Sequence, residues 1–527
     1  MKNNLLKLSY ILAIFAMVSF FGCKKDTATP LPTVTFDAVG TAQVGKPVTF
    51  TNKTIDATTY EWFVAGTSAG TTKDLTYTFT KSGDYEVKLT AKGDGGINSA
   101  SKTITITDLP VTDRPVITVT GEITRNTTWS VNNRYLLSGF VYVVDGVTLT
   151  IEAGTIIKGD KDSKATLIIE RGAKLIAEGT AQKPIVFTSN KAKGQRDYGD
   201  WGGIVLCGKA QNNLPGGDGI LEGGIRSRHG GTDNADNSGI LKYVRIEFPG
   251  IAFQPNQEIN GLTLGSVGSG TQISYVQVSF CGDDSYEWFG GSVNCKYLIA
   301  HRGWDDDFDT DNGFSGKVQF GVALRDPKIA DASGSNGFES DNDGQGTAAT
   351  PLTSAVFSNI SMLGPLATPS TEFNNQFKRG AHLRRNTNLS IHNTIISGYP
   401  ETGMLVDGSL AEANATADRL KVRNTILSGN SKNLTVNANS TFDILTWFNT
   451  ANRGNRILAG GNADLRLTNP FNLTAPNFLP QTGSPALTGG STQGLDAFFE
   501  NVSFIGAFGT TDWTAGWTNF DPQNTDY

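Results

Sequence analysis

The chain has 527 residues, including 61 glycines and 19 prolines, and a formal net charge of −6 at pH 7. A single core seldom grows beyond about 250–300 residues, so this length predicts several domains or a repeat. Lysine and arginine are scattered along the chain, which excludes a basic face for phosphate groups and therefore a nucleic-acid-binding protein.

The start of the chain has the pattern of a secretory signal. An apolar run over residues 10–21, too short to span a membrane comfortably, is followed by Gly22-Cys23. This pair resembles a bacterial lipobox, which implies that residues 1–22 are removed and that Cys23 is acylated. Lys24-Lys25-Asp26 resembles the export signal of Bacteroidota surface lipoproteins. We expect a lipid-anchored, surface-exposed outer-membrane protein with a tether over 23–32; an ordinary signal peptide is the alternative.

Residues 33–108 have the pattern of a small β-sandwich, with short alternating strands separated by turns. Tyr60-Glu-Trp62, Tyr77-Thr-Phe79 and the run from Gly83 to Leu89 resemble a PKD domain, which implies an immunoglobulin-like fold. PKD domains are mostly spacers or glycan-proximal modules, so the resemblance leaves function open. A linker is predicted over 109–115.

Residues 116–510 carry an internal repeat, in which Thr148–Gly154 superposes position by position on Thr166–Gly172. One such unit cannot bury its own apolar face, whereas stacked units can. The repeats resemble right-handed parallel β-helix proteins. The chain is therefore predicted to be all-β, with a small immunoglobulin-like β-sandwich followed by a right-handed parallel β-helix solenoid.

Recurring asparagines predict a turn ladder in this solenoid. Asn359, Asn393 and Asn424 each stand at the end of a short strand pattern, and a glycine follows each of them at the fifth position. Asparagine tolerates left-handed backbone angles, and its amide can bond the neighbouring coil. The Trp-rich tail over 511–527 is predicted to cap the exposed end of the solenoid.

The cysteines and histidines predict neither a disulfide framework nor a metal site. Beyond Cys23, an odd number of cysteines remains, and we expect Cys207, Cys281 and Cys295 to be buried thiols. The 4 histidines lack the paired spacing of a zinc site. No catalytic residue is predicted.

Acidic residues are concentrated between positions 283 and 343, in groups about one coil apart. Stacked carboxylates repel one another, and a hard cation relieves that repulsion. Two runs have the every-second-residue oxygen spacing of Ca²⁺ loops. The Ca²⁺ ligands predicted from them are Asp307, Asp309, Asp311, Glu339, Asp341 and Asp343. Solvated acidic turns are the alternative.

Aromatic residues between these acidic groups indicate a ligand surface. A tryptophan beside carboxylates can stack on a sugar ring while the acids bond the sugar hydroxyls. The predicted ligand-binding residues are Glu287, Trp288, Trp304, Asp305 and Asp306. The alternative is that the aromatic side chains fill the coil interior.

The solenoid as a whole resembles a group of Bacteroidota outer-membrane lipoproteins, through residues 199–205, residues 305–313 and the tail tryptophans Trp513 and Trp517. We expect a cell-surface binding protein that captures a glycan or other extracellular ligand beside a TonB-dependent transporter. A polysaccharide lyase or glycoside hydrolase is the competing class, because Gly282-Asp-Asp284 is similar to the paired aspartates of polygalacturonases. A structural or adhesive surface protein is the third possibility.

Overall fold

The computed structural model describes residues 28–254 and 257–527, and the chain divides into two compact units between Leu109 and Pro110. The lipobox cysteine, Cys23, lies outside the described residues, so its acylation stays a prediction. Within the part that is described, no helix is long and apolar enough to cross a membrane.

The first unit is a β-sandwich whose core centres on Trp62. Trp62 is fully buried, packs edge-on against Phe36 at 5.0 Å between ring centroids, and donates a hydrogen bond to the Thr72 carbonyl at 3.1 Å. One sheet is formed by Phe36–Val39, Pro47–Asn52 and Leu75–Thr78. The other is formed by Thr67–Gly70, Thr59–Val64, Gly83–Gly93 and Gly96–Ile106, in that order.

The second unit is a parallel β-helix in which three sheets run along the described part of the solenoid. Sheet 1 contains Thr166–Ile169, Ile204–Cys207, Leu262–Gly265, Tyr286–Phe289, Phe308–Asp311, Phe338–Ser340, Ala381–Leu383, Met404–Val406 and Leu434–Val436. Sheet 2 contains Thr127–Trp129, Thr148–Ile151, Lys174–Glu178, Ser390–His392 and Lys421–Arg423. Sheet 3 contains Ile156–Gly159, Ile185–Ser189, Ile395–Ser397, Ile426–Ser428 and Arg456–Leu458.

Longer strands turn a corner and belong to two sheets. Val116–Ile123 and Arg134–Val143 pass from sheet 3 to sheet 1. The strands that pass from sheet 2 to sheet 3 are Gly239–Glu247, Gln272–Ser279, Asn294–His301, Lys317–Leu324 and Val356–Leu363. The all-β prediction, with a sandwich followed by a parallel β-helix, is confirmed.

Short elements complete the second unit. The α-helices of the described residues are Ser409–Thr416 and Ile444–Asn449. The 3₁₀ turns are Val111–Asp113, Pro215–Gly217, Ala451–Arg453, Gly461–Leu465, Pro485–Leu487 and Pro522–Asn524. Antiparallel pairs join Gly219–Ile220 to Arg228–His229, Ala252–Gln254 to Gln257–Glu258, and Leu467–Asn469 to Asn477–Pro480.

The interior of the β-helix is apolar and continuous from Ile123 to Phe448. Cys207, Cys281 and Cys295 are free and buried, as the sequence predicts. Trp447 and Phe448, in the helix Ile444–Asn449, join this core beside the last coils. This short helix therefore covers apolar interior where the stack of coils ends.

The corner between sheets 2 and 3 carries the predicted asparagine ladder. Asn359, Asn393 and Asn424 have positive φ angles of 59°, 48° and 50°. The Asn393 amide donates to Ser358 Oγ of the preceding coil at 2.9 Å. Earlier coils place aromatic residues at the same corner, and Tyr243, Tyr275, Tyr297 and Phe320 stack in succession at 4.3–4.9 Å.

The last part of the chain, residues 459–527, is here called the return segment because it runs back along sheet 3. Leu465, near its start, packs with Ile426 of a late coil. Phe508 packs with Leu324 and Leu363 of middle coils. Tyr527, at its end, packs with Ile156 and Val186 of early coils. The prediction that residues 511–527 cap the end of the solenoid is therefore wrong. Sheet 3 has apolar outward side chains, among them Val186, Leu324 and Ile426, and the return segment removes them from contact with water.

Candidate functional site

A column of acidic side chains stands on the outer face of sheet 1. Glu287 pairs in register with Asp309, and Asp309 with Glu339, on successive coils. Neighbouring parallel strands lie about 4.8 Å apart, so these carboxylates are stacked at that repeat. Strand alternation turns Tyr286, Trp288, Phe308 and Phe338 to the interior and the acids outward. We call Glu287, Asp309 and Glu339 the acidic column.

Turn residues enlarge the column into a continuous acidic cluster. In three overlapping groups, the carboxylate oxygens lie within 4.8 Å of one another. The groups are Asp283, Asp284 and Asp305; Asp284, Glu287 and Asp309; and Asp306, Asp309 and Glu339. Because Asp284 and Asp309 each belong to two groups, the seven side chains form one connected set of oxygen ligands, here called the acidic cluster.

Burial and mutual repulsion raise the pKa values of most of this cluster. Burial is the main reason that the pKa of Asp309 is well above its usual value, and the nearby charges of Glu339 and Asp341 add to it. Burial also raises the pKa of Asp305 to about 7. The same two causes hold the pKa values of Asp284 and Glu287 well above the usual range. Ionising the whole cluster at neutral pH is therefore unfavourable, and protons or a cation must offset the negative charge.

Buried oxygens without a donor show that these residues suit a hard cation. Asp305 Oδ1 and Asp309 Oδ1 receive no hydrogen bond from any described residue. The same is true of Asn260 Oδ1 and Thr263 Oγ1, whose side chains are 1% and 3% exposed. Thr263 is in register with Glu287, and the Asn260 amide donates to that carboxylate. An all-oxygen set of this kind is what Ca²⁺ requires.

Basic side chains end the column on the next coils. His382 follows Glu339 in register and contacts it at 3.3 Å, while its other ring nitrogen contacts Asp407 at 2.8 Å. Arg384 pairs with both Glu339 and Asp341. Burial would raise the pKa of Glu339, but His382 and Arg384 lower it overall. The surplus of negative charge is thus confined to the coils before His382.

The two predicted Ca²⁺ loops do not form as loops. Phe308–Asp311 is a strand of sheet 1, so of the first run only Asp309 belongs to the acidic cluster. Asp307 turns inward and pairs with Arg325 at 2.9 Å, both side chains being fully buried. Asp311 lies beside the cluster, and burial raises its pKa to about 7.

The second run divides in the same way. Glu339 belongs to the cluster. Asp341 is bonded by Arg384 at 2.8 Å and by Arg385 at 2.7 Å, so its charge is already balanced. Asp343 accepts hydrogen bonds from Gln345 and Thr347 within its own exposed loop. Asp307, Asp341 and Asp343 are therefore unsuited to be ligands of the same cation.

The predicted ligand-binding residues also separate. Glu287, Asp305 and Asp306 lie in the acidic cluster. Trp288 is fully buried and stacks on Phe314 in the core at 5.3 Å, so it is not available to a ligand. Trp304 is 39% exposed and stacks on Tyr198 at 5.7 Å. Trp304 thus offers an aromatic surface next in sequence to Asp305.

Sequence reasoning missed residues outside the acidic runs that contact or influence the cluster. Burial and the neighbouring charge of Glu258 raise the pKa of Glu222 to about 7, and Glu222 in turn raises the pKa of Glu287. The amide of Asn336 donates to Glu339 at 3.0 Å. Neither residue belongs to an acidic run: Glu222 comes from a distant part of the chain, whereas Asn336 lies just before the strand that carries Glu339.

These features define a parallel β-helix protein with an acidic outer face on sheet 1 and a PKD module before it. The chain belongs to the family described as Pectate-lyase like beta helix domain, whose model matches residues 121–518. The PKD domain model matches residues 33–106. No curated protein matches the sequence. A Family 28 exopolygalacturonase of Yersinia enterocolitica, a solved structure, is 9% identical with a TM-score of 0.17, covering 77% of this chain and 96% of that one.

Proposed function

We propose that this protein captures a glycan through divalent cations, Ca²⁺ above all, held by the acidic cluster. The observation that carries the proposal is the stack of Glu287, Asp309 and Glu339, with overlapping oxygen groups on either side. Buried carboxylates at this density ionise only beside a counter-charge, and the described residues supply basic partners to this stack only at Glu339.

Binding of the glycan follows from the coordination chemistry. Ca²⁺ takes six to eight oxygen ligands, and three carboxylates leave coordination positions for hydroxyl or carboxylate oxygens of a sugar. The exposed ring of Trp304 supplies a stacking surface beside Asp305. The ligand class is therefore a polysaccharide that offers neighbouring hydroxyls or uronate groups to a bound cation.

Surface anchoring through Cys23 and delivery to a TonB-dependent transporter complete the proposal. Both rest on the sequence pattern around Gly22-Cys23. Mass spectrometry of the mature protein tests the anchor, because an acylated N-terminal cysteine carries the mass of its lipid chains.

The cation is tested by thermal melting of Asp309→Asn. Ca²⁺ at millimolar concentration should raise the melting temperature of the wild type, since a ligand that binds the folded state stabilises it by mass action. Asp309→Asn removes a carboxylate shared by two groups, so the Ca²⁺-dependent rise should be lost. Without Ca²⁺ the variant should be at least as stable as the wild type, because asparagine needs neither a proton nor a counter-charge at this buried position.

The matched control is Asp343→Asn, because Asp343 accepts its hydrogen bonds from Thr347 within its own loop. Its Ca²⁺-dependent rise should equal that of the wild type. Equal rises in wild type, Asp309→Asn and Asp343→Asn, or no rise in any of them, would contradict a cation at the cluster.

Glycan binding is tested by retention of the protein on immobilised polygalacturonate or alginate. EDTA and Asp309→Asn should each abolish that retention.

A polysaccharide lyase or hydrolase is the second candidate, favoured by one observation. Asp305, with a pKa raised to about 7, lies in one group with Asp283 and Asp284. A carboxyl group that titrates near neutral pH is suited to general acid–base catalysis. Unsaturated or reducing products released from the retained polysaccharides would favour the enzyme, and Asp305→Asn should then abolish release; retention without products favours capture.

A further inference from the structure

A cavity lies between the return segment and the corner of sheets 2 and 3, away from the acidic cluster on sheet 1. It measures about 430 Å³ and is lined on the β-helix side by Tyr297 and Phe320. Phe504 and Trp513 of the return segment line the other side. Tyr297 shares a coil with Glu287, yet it lies at the corner between sheets 2 and 3, whereas Glu287 is on sheet 1.

The aromatic walls of this cavity are held in place by their neighbours. Tyr297 and Phe320 are consecutive members of the stacked corner, 4.9 Å apart. Trp513 stacks on Phe508 at 5.0 Å and meets Tyr297 edge-on at 5.3 Å. The Trp513 indole N–H donates to the Ala507 carbonyl at 2.9 Å, which fixes the ring in its plane. The walls are therefore preformed.

The polar part of the cavity favours an uncharged ligand. Glu500 is the charged side chain among the residues that line the cavity. Lys296 pairs with it at 2.8 Å, so its charge is balanced. Ser503, Thr510 and Thr511, which carry hydroxyl groups, also line the cavity. Aromatic rings with a few hydrogen-bonding groups, in a cavity of a few hundred Å³, are the usual composition of a small-molecule site. Sugar rings match it, since their C–H groups pack against aromatic rings while their hydroxyls bond carboxylate and hydroxyl oxygens.

We infer that this cavity, the aromatic pocket, is a second carbohydrate-binding site that takes neutral sugar units without a cation. It does not depend on the acidic cluster, because none of its lining residues belongs to that cluster. A protein with both sites holds a polysaccharide at two faces of the same coils. Such two-point binding raises the overall affinity beyond that of either site.

The test is titration of the full chain in EDTA with neutral trisaccharides, namely cellotriose, maltotriose and xylotriose, followed by tryptophan fluorescence and calorimetry. At least one should bind at millimolar concentration or below. Trp513→Ala should weaken that binding at least tenfold and Glu500→Gln about threefold. Circular dichroism and the melting temperature check that each variant is folded.

The matched control is Asp496→Asn, a carboxylate of the same segment that pairs with Lys317 outside the cavity. Its affinity should equal that of the wild type. Binding of none of the trisaccharides overturns the inference, as does binding that Glu500→Gln and Trp513→Ala both leave unchanged. Binding of choline alone would overturn it in favour of a cation cage. Retention of polygalacturonate that requires Ca²⁺ reports on the acidic cluster instead. The proposals for the two sites can therefore be refuted independently.

Discussion

Arg325 lies beneath the acidic cluster and is one of the most deeply buried charged side chains of the protein. It pairs with Asp307 at 2.9 Å and donates to the Gly303 carbonyl at 3.0 Å, with both charged side chains fully buried. Its guanidinium also bonds the Asn336 carbonyl, next to the cluster residue Asp306. The ion pair therefore joins two turns that present acidic side chains.

Replacing Arg325 should be costly, because it leaves Asp307 buried without a partner. We expect Arg325→Met to lower the free energy of unfolding by about 3–5 kcal/mol, as for other broken buried pairs. Chemical denaturation of the full chain, read at the transition of the β-helix unit, measures this. Lys193→Met breaks an exposed pair with Asp526 and should cost less than about 1 kcal/mol. Equal losses in the two variants would show that burial of the pair has no effect on stability.

Among the elements, the corner between sheets 2 and 3 owes its geometry to residues that accept positive φ. Asn393 has a φ of 48° and is buried. Its amide donates to Ser358 Oγ at 2.9 Å and to the Ser491 carbonyl at 3.0 Å. Asn393 thus ties the corner both to the preceding coil and to the return segment.

Two substitutions of Asn393 distinguish the contribution of the backbone angle to stability from that of the side-chain hydrogen bonds. Asn393→Gly keeps the φ angle but loses the amide, so it should cost about 1–3 kcal/mol for the buried groups left unpaired. Asn393→Ala should cost roughly 1–2 kcal/mol more, because a Cβ is strained at positive φ. Denaturation curves of both variants test the order. At Asn452, in the 3₁₀ turn Ala451–Arg453, alanine should be no worse than glycine; the same order at both positions would contradict the argument.

Local pattern predicts these elements well and their distant contacts poorly. The asparagine ladder follows from residue type, and the stacking of acids follows from the repeat. Trp288 was predictable too, since alternation places it on the side opposite to Glu287. By contrast, no local feature shows that Trp517 packs on Tyr243, or that Glu222 reaches Glu287. Those contacts depend on how many residues each coil inserts before it returns to the same sheet.

At the scale of the whole molecule, the acidic cluster makes stability depend on pH. Burial raises the pKa of Asp305 from 3.8 to about 7. In this range the folded protein holds a proton that the unfolded chain has released, so stability falls as pH rises. That contribution is fully present below about pH 4 and is lost as pH passes about 7.

Comparison of the wild type with Asp305→Asn isolates this effect from the other titrating groups. In EDTA, the stability of the wild type relative to the variant should decrease between about pH 4 and pH 7, measured by the melting temperature at each pH. Saturating Ca²⁺ should reduce the decrease, because the cation binds the deprotonated oxygens and supplies the missing counter-charge. The Ca²⁺-dependent rise should therefore be larger at pH 8 than at pH 5. A wild type that gains stability over the variant as pH rises in EDTA would mean that Asp305 is ionised in the folded protein without help, and the need for a cation at the cluster would be lost.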